Sequence, residues 1–124
     1  MSVRNIRHRS QPRPRTLDTN IRFVYTYLRY TWDSSKSARN LIERGFDFDF
    51  ATLIFDGFTL ERADVRRDYG ERRIVAIGNA QGFMLIVVYT DRFEATQTVE
   101  RRIISARRSN RNEREAYQQA IEGG

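Results

Sequence analysis

Arginine is the residue through which this chain could do chemistry. The stretch "RRIISARRSNRNEREAYQQ", Arg101 to Gln119, sets Arg101, Arg102, Arg107 and Arg108 around a short apolar strand core, Ile103-Ile104. Burying guanidinium is costly, so such a cluster at a strand end marks either a solvated rim or a site for an anion. Arginine is no base near neutral pH, but its fork of donors can hold and stabilise phosphate charge. RNA brings its own nucleophile, the 2′-hydroxyl. An enzyme cutting RNA by in-line attack therefore needs mainly positioning and charge stabilisation, with one Glu, Tyr or Lys to move the proton.

Other chemistries are short of residues. His8 is the only histidine and lies in a polar N-terminal stretch, which argues against a histidine base or a Ser-His-Asp triad. There is no cysteine, so disulfides and thiolate metal sites are excluded. Asp47 and Asp49 in "FDFDF" would point apart in a helix, and no metal is expected. No P-loop or dinucleotide fingerprint occurs.

Alternation along "VERRIISAR" puts Arg101, Ile103, Ser105 and Arg107 on one strand face and Arg102, Ile104 and Ala106 on the other. Arg73 and Tyr89 could join the first group, depending on register, and Glu71 lies just before Arg73's strand. As a plain surface feature, Arg107 and Arg108 would pair with Glu113 or Asp91 as rim ion pairs, each contributing about 0–1 kcal/mol.

The elements that must position these groups can be read from patterning. Arg29 to Trp32 reads as a strand, and "IRFVYTYL" before it either extends that strand or forms another. Asp33 or Ser34 caps a helix in which Ala38, Leu41 and Ile42 form the apolar stripe, and Gly45 ends it. Residues 46–55 fit either an alternating strand or a short helix capped by Asp47, with Phe50, Ala51 and Ile54 inward. "FTLER" suggests a brief strand. "RRIVAIG", "NAQG" and "FMLIVVYT" read as strand, turn and central strand, and a polar connection from Asp91 to Thr98 leads to "VERRIISAR". Asn110 and Glu113 have capping-box spacing for a last helix with Ala116, Tyr117, Ala120 and Ile121 on its apolar face. The expected fold class is α+β: two N-terminal helices, an antiparallel sheet of about four strands and a C-terminal helix.

The 124 residues suit one domain. The charge is uneven. Residues 1–30 hold seven arginines against Asp18, which accounts for the whole net charge of +6; the remainder balances. Residues 1–28 are expected to be a basic flexible extension and 29–124 the folded body. No apolar run approaches a membrane span and no signal-peptide pattern is visible, so a cytoplasmic protein with no membrane partner is expected.

"WDSSKSARNLIERGFDFDFATLIFD", "DYGERRIVAIG", "LIVVYTDR" and "RIISARRSNRNEREAYQ" come in an order that closely resembles the BrnT family of toxins from type II toxin–antitoxin pairs. The likeness covers roughly Tyr30 to Ala120. It implies a RelE-like ribonuclease fold with Phe48–Phe55 helical, an endoribonuclease that needs no metal or organic cofactor, and inhibition of translation. It implies a BrnA-type antitoxin with a ribbon-helix-helix part, RNA as substrate, and operator DNA reached only through the antitoxin. Among the matching positions, Arg102 and Arg107 are expected to bind phosphate with help from Arg73. Glu71, and after it Lys36 (the only lysine), are the candidates for proton transfer. Arg92, Ser105 and Arg108 are expected on the RNA path; Tyr89, like Trp32 and Tyr69, could stack a base. Many members have histidine where this chain has Arg44. That departure keeps open a second class, a non-catalytic antitoxin- or RNA-binding module.

Overall fold

The computed structural model describes residues 4–9, 14–17 and 23–123, with side chains from residue 26 onward. The rest of the basic N-terminal stretch lies outside the described residues. The described residues of that stretch form β1 (Arg4–Arg9), β2 (Pro14–Leu17) and β3 (Phe23–Tyr25), the last of them in the segment read as a strand extension or a further strand. β2 and β3 pair with each other, while β1 lies antiparallel on β4 (Tyr27–Asp33).

The chain continues through α1 (Ser34–Arg44), α2 (Phe48–Ala51), a 3-10 turn (Thr52–Asp56), β5 (Thr59–Ala63), β6 (Ile74–Ala80), β7 (Phe83–Ala95), β8 (Thr98–Arg108) and α3 (Arg111–Gly123). One sheet runs β1-β4-β8-β7-β6-β5. The α+β class holds, but the sheet is mixed and larger than the four-stranded antiparallel one expected. β4 lies parallel to β8, from Tyr27 opposite Thr98 to Trp32 opposite Ile103. A parallel neighbour needs a long crossover, and everything from α1 to β7 supplies it. The polar stretch after Thr90 is no loop: β7 runs on to Ala95, and the chain turns at Gln97 with φ of 70°.

One face of the sheet carries the main core. Tyr30, Leu85, Val87, Tyr89 and Ile103 pack against Phe48, Ala51, Ile54 and Phe55 of the helical segment. Asp47 starts that segment by accepting from Phe50 N at 2.8 Å. Full burial of each large side chain contributes about 1.5–3 kcal/mol. Arg101 also turns inward. Its guanidinium lies 4.1 Å from the Tyr89 ring centroid and 4.7 Å from that of Phe55, and it donates twice to Asp91 at 2.8 Å.

α1 is held differently from its expected apolar stripe. Asp33 caps it, accepting from Ser35 N and Lys36 N, and Gly45 closes it at φ 87°. Its buried residues are Ser37 and Asn40. Ser37 Oγ accepts from Phe48 N, and Asn40 Nδ2 donates to Phe46 O. Leu41 and Ile42 are 51% and 85% exposed. The correction has a physical reason: the helix abuts the start of the next segment, whose unpaired backbone groups need polar partners more than apolar cover.

The second sheet face is covered only in part. Val75, Ile86, Val88 and Ile104 cluster there, and α3 lies over its β5–β6 side. The capping box forms as expected, with Asn110 Oδ1 accepting from Glu113 N and Glu113 Oε1 from Asn110 N, both at 2.8 Å. Tyr117 Oη donates to Phe58 O. Among the described residues, no helix is long and apolar enough to cross a membrane.

Gly78 marks a close approach of sheet and helical layer, since a Cβ there would sit 2.7 Å from Ile54 Cβ. Gly78→Ala is expected to destabilise the fold by about 1–3 kcal/mol, read as a lower urea midpoint at unchanged slope.

Candidate active site

The site is set by a register change. Along β7 and β8, Val88 faces Ser105 but Tyr89 faces Ile103, so Ile104 is one extra residue in β8. Such a bulge interrupts strict alternation. Ile103 and Ala106, three apart, both lie in the main core, while Ile104 joins Ile86 and Val88 on the second face. The face assignment from simple alternation is therefore corrected. Arg102, Ile104, Ser105 and Arg107 share the second face, while Arg101 and Arg108 lie on the core side.

Three expected residues meet beside that bulge. Arg102 Nη2 donates to Glu71 Oε2 at 3.2 Å, and Arg73 Nε donates to the same oxygen at 3.1 Å. All three side chains are roughly one-quarter to one-third exposed. Lys36 joins them from the first turn of α1. Its ammonium pKa is lowered, first by desolvation and further by the positive charges of Arg102, Arg73 and Arg39, with Asp33 opposing. The result is two guanidinium groups on one carboxylate, with an ammonium group near enough to both cations to feel their charge.

The loop between β5 and β6 delivers Glu71 and Arg73. Asp64 organises it from a buried position, accepting from Arg66 Nε and Nη2 at 2.8 Å and from Arg66 N at 3.3 Å. Asp64 N donates to Arg73 O at 2.8 Å. Arg73 lies 4.0 Å over the Tyr69 ring, a contact that fixes the direction of its fork. Thr90 Oγ1 ties the loop to β7 through Arg72 O. Tyr69 is thus a platform for arginine, and Trp32 is a core residue.

The other expected residues are spread out. Arg107 stands farther along β8 and forms a bidentate pair with Glu113 of α3 at 2.9 and 2.7 Å. That is the rim ion pair that spacing alone allowed. Ser105 lines a cleft with Lys36. Arg92 is largely exposed, 3.9 Å from Glu100 at the opposite end of the face. Tyr89 and Arg108 both stand on the core side of the sheet. Tyr89 is 3% exposed, with its hydroxyl on Glu61 Oε1 at 2.7 Å, so it offers no ring to an RNA base. Arg108 lies over Phe83, in a groove with Phe46 and Phe50 on the core side, away from Arg102.

Arg44 has a structural task. β4 stops beside Ile103, leaving the outer edge of β8 open beyond that point. Arg44 Nη1 donates to Ala106 O at 2.8 Å and to Asn40 Oδ1 at 3.2 Å, closing that edge. Alternation gives no hint of this; the i, i+4 spacing of Asn40 and Arg44 is the only trace in the sequence. Among the described residues, no three of His, Cys, Asp and Glu come together as a metal would need.

Fold and site define a small mixed-sheet α+β protein with arginine and lysine gathered on a partly uncovered sheet face. Residues 32–113 match the family model for the ribonuclease toxin BrnT of type II toxin–antitoxin systems, and the chain belongs to that family. Membership marks it as a ribonuclease toxin with an antitoxin partner. No curated protein matches the chain.

The buried Asp64 supplies a pH test. The hydrogen bonds from Arg66 lower its pKa from 3.8 to about 2. Because the carboxyl is depressed in the fold, its contribution is complete above the unfolded value and is lost as pH falls through the folded one. Melting temperature should therefore drop between pH 3.8 and about 2. In Asp64→Asn that part of the acid limb should be absent; an unchanged limb would remove Asp64 from this role.

Proposed function

We propose that the protein is an endoribonuclease that cleaves RNA through its own 2′-hydroxyl, without a metal ion, and so blocks translation in the cytoplasm. The observation that carries this is the pair of guanidinium groups, Arg73 and Arg102, held on Glu71, with the Lys36 ammonium near enough to both cations to feel their charge. A scissile phosphate entering there takes over the guanidinium donors that Glu71 engages, and charge-assisted bonds to its oxygens stabilise the phosphorane. Glu71, released beside the reacting group, accepts the 2′-hydroxyl proton. The 2′-oxygen bonds to phosphorus, the P–O5′ bond breaks, and Lys36 protonates the departing 5′-oxygen. The products are a 2′,3′-cyclic phosphate and a 5′-hydroxyl, with no other reactant.

Arg107 extends the phosphate path once RNA competes with Glu113 for its fork, and Ser105 lies between the two cationic positions. Arg92 stands at the far end of the same face. We infer a BrnA-type antitoxin with a ribbon-helix-helix part, which contacts operator DNA on behalf of the pair. We read residues 29–124 as the toxin body and 1–28 as an addition to it. One observation favours a second reading, a non-catalytic antitoxin- or RNA-binding module: Arg73, Arg102 and Arg107 each already hold a carboxylate.

Inducing the chain alone in a bacterium should arrest growth, and the purified protein should cleave RNA equally well in EDTA. Arg102→Ala should slow cleavage by about 100-fold or more and relieve the arrest. Intact RNA after incubation with folded wild-type protein would leave the module reading standing and remove the enzymatic one.

Lys36 predicts the alkaline side of the pH–rate profile. A lysine with a lowered pKa loses its proton below the ordinary lysine range, so cleavage should decline there. Lys36→Arg, which keeps the charge but gives up no proton in this range, should cleave more slowly and lose that decline.

A further inference from the structure

α1 turns a polar stripe toward the sheet. Lys36, Arg39, Asn40, Glu43 and Arg44 follow the i, i+3, i+4, i+7, i+8 spacing of one helix face. All five line a cleft of about 240 Å³ against Ile104 and Ser105 at the bulge, with Phe48 at its inner wall. Asn40 and Arg44 are committed to Phe46 O and Ala106 O. The side chains of Lys36, Arg39 and Glu43 and the Ser105 hydroxyl have no hydrogen-bond partner among the described residues. A helix that keeps unengaged donors and an acceptor over a cleft, while Leu41 and Ile42 stand in water, is arranged for a polar ligand.

We propose that this cleft is a nucleobase subsite, taking the base next to the phosphate held by Lys36, Arg73 and Arg102 and selecting guanine through Glu43. It rests on the ribonuclease reading above. Three observations carry it. The cleft is smaller than the pockets that take drug-sized ligands, which suits one planar base. The Arg44 guanidinium is fixed by two hydrogen bonds, a ready plane of the kind on which unstacked bases lie. Lys36 belongs to both the cleft and the cationic group, so a phosphate bound there leaves its attached base at the cleft mouth.

Glu43 sets the preference. Among the described residues it is the only carboxylate lining the cleft, and a carboxylate only accepts. Guanine alone among the four RNA bases presents two adjacent donors, N1–H and N2–H, on its pairing edge. Adenine and cytosine place a bare ring nitrogen beside the amino group, where a carboxylate would be repelled. Uracil has a single N–H flanked by carbonyls.

The test maps cleavage ends on an RNA of mixed sequence. Wild type should show guanine enriched at one position beside the cut. Glu43→Gln should lower the preference for guanine over adenine by about tenfold or more at unchanged melting temperature. A wild-type profile without base preference, or one that Glu43→Gln leaves unaltered, overturns the subsite while leaving the ribonuclease reading intact. Should wild type cut nothing, that reading fails, and binding decides the subsite. Guanosine 3′-monophosphate should then shift the backbone amide resonances of residues 39–44 and 104–105 more than cytidine 3′-monophosphate does. Equal or absent shifts overturn it.

Discussion

The bulge at Ile104 is the constraint on which the site depends. A regular β8 would set Arg102 and Arg107 on opposite sides of the sheet. One extra residue lets Ile103 and Ala106 both point to the core while Arg102, Ser105 and Arg107 point away from it. The core enforces this choice. Ile103 is 2% and Ala106 1% exposed, so a slip in register would bury a guanidinium at either place.

Arg101 is the counterpart that the same strand does bury. It avoids the usual penalty by lying against the Phe55 and Tyr89 rings and by meeting Asp91 with both forks. Its pKa stays raised although burial, the largest influence, acts to lower it; the Asp91 hydrogen bonds and charge outweigh that. The neighbouring arginines Arg101 and Arg102 therefore do different work: the first ties β8 to β7 within the core, the second reaches the solvent face.

Much of the frame could be read from the sequence. Asp33, Asp47 and the Asn110–Glu113 pair announce helix starts through local hydrogen bonding, which needs no knowledge of the distant chain. The apolar runs at Ile74 and Phe83 and the Gln81-Gly82 turn between them mark a hairpin for the same reason. The parallel placement of β4 on β8 was not legible, because pairing across some seventy residues leaves no local pattern. Nor was the bulge, since "RIISAR" alternates plausibly in either register. Glu71, Arg73, Arg102 and Lys36 were found by residue type and by likeness to BrnT toxins. Their meeting was not, because it depends on a loop folded about Asp64. Nor is the burial of Tyr89 legible, since an aromatic at a strand position looks alike from either face of the sheet.

The outward side of α1 has a different consequence. Leu41 and Ile42 are in water, and Leu41 shares a groove with Phe83, itself about half exposed. Hydrated apolar surface of this kind favours self-association and exposes a chain to the quality-control machinery of a cell. A partner that covered this groove would withdraw that surface from water, so solubility and partnership would be linked through α1.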